Sequence, residues 1–236
     1  MKILFTKTLL NSQKALIESF GVFNVVDEIA LINTKLISYQ QFVNKYEQPV
    51  DSGIPVVVSS LRSSDWIAEE YPHSIKELWA ISERTAQPLL TKIENIHISS
   101  LASSAVLAKE ILSENYEEIN FFCGNLHRPE IPQLLAEQGI KVNVFEVYAT
   151  SLVAVELKED YDVICFFSPS AVTSYFKANA WKQQCLALCI GATTALELTD
   201  KGVEKIIYPE FPGFENMLDR LKRQLELENG ISRIKK

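Results

Sequence analysis

The chain has 236 residues, 47% of them hydrophobic and 22% charged, the balance of a globular protein long enough for one large core or two small ones. Its formal net charge of −7 argues against sequence-independent nucleic-acid binding, which needs clustered Lys and Arg to displace counterions, but not against a small anionic ligand, because charges beyond a Debye length of about 8 Å are largely screened. No run approaches the roughly 18 apolar residues of a membrane span, and Met1-Lys-Ile-Leu-Phe-Thr-Lys7 lacks a secretory apolar core, so a cytoplasmic protein with no membrane partner is expected.

Short apolar runs alternate with amphipathic segments along the chain. Ile3–Thr6 reads as a strand and Leu10–Phe20 as a helix closed by Gly21; Tyr46–Gly53 is a polar loop. Strand and helix then alternate as Val56–Ser59, Ser63–Glu70, Leu78–Ser82, Arg84–Ile93, Ile96–Ser99, Ser103–Asn115, Ile119–Cys123 and Glu130–Gln138. After strand Val142–Val147 the rhythm resumes with Val163–Ser168, Ala171–Ala180, Leu186–Ile190, Thr193–Lys201, Lys205–Tyr208 and the charged helix Glu215–Glu228, followed by a tail over Asn229–Lys236 expected to fray. Gly139 and Gly202, like Gly21, suit left-handed positions just past helix ends. Such a rhythm implies α/β architecture with parallel sheets covered on both faces.

Cys123, Cys165, Cys185 and Cys189 sit in apolar runs and read as buried, reduced thiols. His73, His97 and His127 are too scattered to complete a metal set with the Cys185/Cys189 pair, so no metal is expected. No heptad run suggests an oligomer, and a monomer is expected.

One unit occurs twice. Ile54-Pro-Val-Val-Val-Ser-Ser60 precedes a helical pattern, as does Val163-Ile-Cys-Phe-Phe-Ser168, and the distances Ser59 to Thr85 (85 − 59) and Ser168 to Thr194 (194 − 168) are both 26 residues. Two similar lobes with a ligand between them follow as an expectation. Because the copies occupy the middle and the last third, the N-terminal strand must join the later copy, making one lobe discontinuous: residues 1–35 with 152–236, and 38–148, with crossings near Asn33–Ser38 and Tyr148–Val153.

Parallel sheets bind ligands beyond the carboxyl ends of their strands. Thr6, Ser59, Ser60, Ser82, Thr85, Ser168, Ser170, Thr193 and Thr194 fall there, beside helix N-termini whose N–H groups favour carboxylate or phosphate; plain helix capping is the alternative role for each. Lys7, Arg62, Arg84, His127 and Arg128 also follow strands and supply positive charge, with surface solvation as the alternative. Gly124-Asn-Leu-His-Arg128 lacks the ending of a nucleotide P-loop, and no GxGxxG or GxSxG occurs, so neither a nucleotide cofactor nor a serine nucleophile is signalled. Tyr148, where a strand meets an expected crossing, suits either proton donation or packing.

Together, Phe166-Phe-Ser-Pro-Ser-Ala-Val172, Cys189-Ile-Gly-Ala-Thr-Thr-Ala195, Gly124-x-x-x-Arg128 followed by Leu134-Leu135 and Gly139, Val147-Tyr-Ala-Thr150 and Ile81-Ser-Glu-Arg-Thr-Ala86 resemble the uroporphyrinogen-III synthase family over nearly the whole chain. The resemblance implies two flavodoxin-like α/β lobes joined by a two-stranded connector. It also implies a cofactor-free lyase reaction of heme and tetrapyrrole biosynthesis: the linear substrate hydroxymethylbilane loses its terminal hydroxyl, its last pyrrole ring inverts through a spiro intermediate, and the macrocycle closes as uroporphyrinogen III. It makes Tyr148 the candidate proton donor. It makes Ser168, Ser170, Thr193 and Thr194 carboxylate binders from one lobe, and Ser59, Ser60, Arg84, Thr85 and Arg128 from the other; Gly124, Pro169 and Gly191 complete the motifs. Ser82 stands where the family usually has glycine, Ala192 where proline is common, and Lys7 where arginine is usual. These departures motivate an alternative, a non-catalytic tetrapyrrole- or polyanion-binding module on the same fold.

Overall fold

The structure, a computed structural model, describes residues 1–47, 53–71 and 73–234, with side chains to residue 227. Part of the loop expected over Tyr46–Gly53 lies outside the described residues. The chain divides into two compact units, one made of Met1–Asn33 and Ser151–Lys236, the other of Thr34–Thr150.

The first unit contains β1 (Lys2–Phe5), α1 (Asn11–Phe20) and β2 (Val25–Glu28), and β3 (Ile32–Leu36) begins at its end. The second contains α2 (Tyr39–Tyr46), β4 (Val56–Val58), α3 (Leu61–Glu70), β5 (Leu78–Ala80), α4 (Glu83–Ala86) with a 3-10 turn at Gln87–Leu89, β6 (Ile96–Ile98), α5 (Ser104–Leu112), β7 (Glu118–Gly124), α6 (Glu130–Glu137) and β8 (Lys141–Leu152). The first unit is completed by β9 (Val163–Phe166), α7 (Pro169–Tyr175), β10 (Leu186–Cys189), α8 (Ala192–Asp200), β11 (Ile206–Ile207) and α9 (Phe214–Ile234). The chain passes between units after Asn33 and after Thr150, inside β3 and β8. These two strands pair, residues 31 and 37 bonding 153 and 147 through their backbones while the Thr34 and Thr150 hydroxyls meet at 3.3 Å; partners that fall as residue numbers rise make the pair antiparallel.

In the first unit the order is β11-β10-β9-β1-β2, with every pairing parallel. Numbered within the unit this is 2-1-3-4-5, the flavodoxin-like order, and the winding reverses between β1 and β9. In the second the order is β3-β8-β7-β4-β5-β6, parallel from β8 to β6, and the reversal lies between β4 and β7. The short central strands are buried on both faces, as crossover helices require. Val56, Val58 and Phe122 pack with Phe42 and Trp66 on one face of the second sheet, while Val57, Phe121 and Cys123 pack with α5 and α6 on the other. The Trp66 indole N–H donates to the Ile37 carbonyl at 2.6 Å, satisfying the polar atom of a fully buried ring.

Some boundaries differ from the sequence expectation. β2, β3 and α2 arise where no periodic element was expected; α2 starts from a capping box in which Ser38 accepts from the Gln41 N–H and Gln41 accepts from the Ser38 N–H. The helix expected over Arg84–Ile93 stops at Ala86 and tightens into the 3-10 turn, where Pro88 removes a donor. α9 runs on from the expected helix Glu215–Glu228 to Ile234, and residues 235–236 of the tail lie outside the described residues. Gly139 and Gly202 take φ of 85° and 79°, as a left-handed helix end favours.

One carboxylate fixes the loop beyond β1. Glu28, at the end of β2, accepts from the Leu9 N–H at 2.8 Å and pairs with Lys14 at 2.7 Å. The Leu9 bond first, and the Lys14 bond second, hold its carboxyl below the usual carboxylate range. A depressed folded-state pKa adds stability above the unfolded value that is lost as pH falls through the folded one. Glu28→Gln is therefore expected to lower stability by about 1 kcal/mol at neutral pH, with the difference from wild type closing on acidification through the carboxylate range, as measured by urea unfolding across pH.

Candidate active site

The reversal point of the second sheet brings the carboxyl ends of β4 and β7 side by side. β4 runs out at half-buried Ser59, and Ser60 caps α3: its hydroxyl accepts from the Ser63 N–H at 3.2 Å and meets the Ser63 hydroxyl at 2.9 Å. β7 ends at Gly124.

Tyr148 reaches this point through an irregularity in β8. The parallel register runs Phe122 with Phe145 and Cys123 with Glu146, then jumps to Gly124 with Tyr148, leaving Val147 as the extra residue of a bulge. Strand side chains alternate between faces, so Tyr148 would oppose Val147 in a regular strand. Across the bulge both Val147 and Tyr148 pack on the face of Phe42, Phe122 and Trp66. The phenol then donates to the Ser60 hydroxyl at 3.2 Å. Its ring lies where a side chain on Gly124 would be: a Cβ there would overlap the Tyr148 ring. Burial raises the pKa of Tyr148, opposed by the Ser60 bond and the Arg62 cation, so the phenol is protonated at neutral pH.

Asn125, passed over in the sequence, fastens this arrangement. Its backbone N–H donates to the Tyr148 carbonyl at 3.2 Å, its side-chain oxygen accepts from the Thr150 N–H at 2.7 Å, and its amide nitrogen donates to the Thr150 carbonyl at 3.3 Å. The available signal was an Asn directly after a strand-ending Gly, a residue type that bonds neighbouring backbone in turns. His127 stays at the same turn, with Nδ1 3.0 Å from the Gly124 carbonyl oxygen.

The remaining candidates of this unit stand in smaller groups. Ser82 caps α4, accepting from the Thr85 N–H at 3.3 Å and meeting the buried Thr85 hydroxyl at 3.0 Å. Arg62 and Arg128 are exposed beside acids close in sequence, Asp65 at 3.5 Å and Glu130 at 3.9 Å. Arg84 is exposed on α4.

In the first unit the reversal point joins the ends of β1 and β9. The buried Thr6 hydroxyl donates to the Cys165 carbonyl at 2.8 Å, so its proton serves the sheet. The Lys7 ammonium lies 4.7 Å from the centre of the Phe167 ring and 5.5 Å from that of Phe214, a cation–π arrangement on two stacked rings. Ser168 caps α7 by accepting from the Ala171 N–H at 3.2 Å and meets the Ser170 hydroxyl at 3.0 Å, with Pro169 at the first helical position. Gly191 takes the cap position of α8 with extended backbone; Thr193 is exposed and Thr194 is 2% exposed.

The repeat is shifted by one residue. Thr85 and Thr194 both occupy the third position of their helices, but the cap equivalent to Ser168 is Ser60, not Ser59.

A cavity of about 230 Å³ bordered by Glu156, Tyr161, Asn179 and Lys182 opens at the opposite, amino end of β9 and β10. On its border Lys182 pairs with Asp160, Tyr161 bonds Asp27 and Asn179 bonds the Val155 carbonyl. It lies at the other end of β9 from Ser168. All four cysteines are free and buried, and burial pushes the Cys123 thiol up to about 12. Among the described residues no group of three His, Cys, Asp or Glu is placed to hold a metal, and no helix is long and apolar enough to cross a membrane.

Comparison with solved structures gives the same architecture. Uroporphyrinogen-III synthetase of Helicobacter pylori matches with a TM-score of 0.63 at 16% identity, over 95% of this chain and 99% of that one. A mutant uroporphyrinogen III synthase of Thermus thermophilus matches with 0.66 at 19% identity, over 96% and 99%, and the wild type in a second crystal form with 0.54 at 19%, over 97% and 99%. No curated protein matches in sequence. The family described as uroporphyrinogen-III synthase HemD matches residues 53–219, which run from β4 into the start of α9 and so include Ser60, Gly124, Tyr148 and Ser168, and this favours catalysis over the non-catalytic alternative. The chain belongs to the uroporphyrinogen-III synthase family, lyases that close hydroxymethylbilane into uroporphyrinogen III.

Proposed function

We propose that Tyr148 donates the proton with which the terminal hydroxyl of hydroxymethylbilane leaves as water. The observation that carries this is the phenol itself, turned by the bulge towards the reversal point of its sheet and hydrogen-bonded to Ser60. A half-buried phenol beside a hydroxyl that can return a hydrogen bond, and with an arginine near enough to oppose the burial effect, is suited to give a proton without being ionised beforehand. Departure of water leaves a reactive carbon at the end of the chain. The protein then has mainly to fold the substrate so that the substituted carbon of the last ring attacks first, a task of positioning.

The substrate's eight carboxylates call for many donors. Ser168, Ser170, Thr193 and Thr194 are proposed to bind carboxylates on the first unit, with Lys7 adding charge; Ser59, Ser60, Arg84, Thr85, His127 and Arg128 are proposed for the second. Helix first turns have N–H groups without intrahelical acceptors, and each terminus contributes about 0.3–1 kcal/mol towards an anion, more when partly buried. The proposal extends to a monomer of the cytoplasm that works without a cofactor.

Freshly prepared hydroxymethylbilane should yield the type III isomer above the spontaneous type I background, and type I alone would contradict the assignment. Tyr148→Phe is expected to lower kcat about 100-fold with KM nearly unchanged; a wild-type rate would remove Tyr148 from the chemistry. Because its pKa is raised, Tyr148 should impose no alkaline fall in kcat below about pH 10, which a pH–rate profile checks. Gly124→Ala must displace the ring, so it is expected to cost about 1–3 kcal/mol of stability and to reduce turnover alongside Tyr148→Phe.

A further inference from the structure

We infer that Asn125 is a positioning residue for Tyr148, acting through the backbone of β8. This rests on the reading of Tyr148 as proton donor. The β7–β8 ladder is interrupted at its carboxyl end, where Val147 bulges out and Gly124 is the last β7 residue in register. A bulge leaves one residue unpaired and bends its strand, so the residues beyond it need a new anchor. Asn125 supplies one. A primary amide has the donor and acceptor of a peptide group, and this side chain uses both on Thr150, accepting from its N–H at 2.7 Å and donating to its carbonyl at 3.3 Å. The Asn125 N–H holds the Tyr148 carbonyl.

Three bonds from one exposed residue thus fix β8 from Tyr148 to Thr150. The ring and hydroxyl are held by the space above Gly124 and the bond to Ser60, and β3 holds the other edge of β8 through residues 37 and 31, bonded to 147 and 153. The first two do not set the backbone from which the ring projects, and the β3 bonds fall on either side of Tyr148–Thr150. Removing the Asn125 amide leaves the β7 edge of this stretch held by the Asn125 N–H alone, which lets Tyr148 turn away from Ser60. Thr34, whose hydroxyl meets that of Thr150, touches the strand from its other edge and does not replace the bonds to the Thr150 peptide groups.

The test combines steady-state kinetics with a double-variant cycle. Asn125→Ala is expected to lower kcat about tenfold, in line with the cost of small misplacements of a reacting group, with KM within about twofold and a thermal midpoint near wild type because the side chain is exposed. Asn125→Asp, which keeps the acceptor for the Thr150 N–H and loses the donor, should fall between wild type and Ala; it also serves if Asn125→Ala folds poorly. In the Tyr148→Phe background Asn125→Ala should cost less than twofold further, since a group acting through Tyr148 has nothing left to position. An unchanged kcat, a rise in KM at constant kcat, or losses that multiply in the double variant would overturn the inference. A Tyr148→Phe enzyme with wild-type turnover would instead overturn the proton-donor reading on which it rests.

Discussion

Parallel pairing is the constraint on which the rest depends. Apart from β3 with β8, the pairings in both sheets are parallel, so each strand ends on the same side of its sheet and each crossover helix begins there. Both faces of the sheet are then covered, and the strands themselves admit little polarity. Val56–Val58 and Val163–Phe166 are buried throughout. Polar side chains resume within two residues of where the backbone leaves the sheet, which is why Thr6, Ser59, Ser60 and Ser168 stand where they do. The Ser60 and Ser168 hydroxyls accept from N–H groups of helix first turns, and that of Thr6 donates to a strand carbonyl. The chemistry of each unit is thereby drawn to one edge of its sheet.

At Tyr148 the same constraint is broken to useful effect. A large polar ring could not enter the aromatic face from a regular strand without displacing Val147, which is fully buried there. The bulge adds a residue to that face without removing one, and the glycine opposite provides the volume. Gly124 is thus required by the neighbouring strand's side chain, since its own φ lies outside the left-handed region.

The alternation of apolar runs and helical patterns made the α/β class and most strands legible, because a strand buried on both faces is an uninterrupted apolar run. β2 and β3 were missed for the opposite reason. Val25–Glu28 carries Asp27 and Glu28, and Ile32–Leu36 alternates between exposed and half-buried positions; both are edge strands of their sheets. The end of β8 was also misjudged. It runs to Leu152, past the expected end at Val147, because its pairing with β3 and the Asn125 bonds extend it where apolar content declines. Tyr148 could be singled out in the sequence as a residue near a strand end, but its orientation depends on a register shift between distant segments that no local pattern records. The repeat was likewise legible as a repeat, while its one-residue slip appears only when the capping hydroxyls are located.

The repeat also gives a physical meaning to Ser82, which stands where the family usually has glycine. The corresponding cap of α8 is Gly191, whose missing side chain leaves the first-turn N–H groups of that helix without a side-chain acceptor and next to an exposed Thr193. At α4 the cap is a serine whose hydroxyl already accepts from the Thr85 N–H and meets the Thr85 hydroxyl. An anion arriving at α4 has to displace these bonds, and α4 is only four residues long, so its aligned peptide dipoles are few. At α8 no cap side chain competes, the Thr194 N–H meeting only the Gly191 carbonyl at 3.2 Å, and the helix is nine residues long. On the proposed assignment the carboxylate-binding contribution of Thr85 is therefore weaker than that of Thr194, although the two occupy matching places in the repeat.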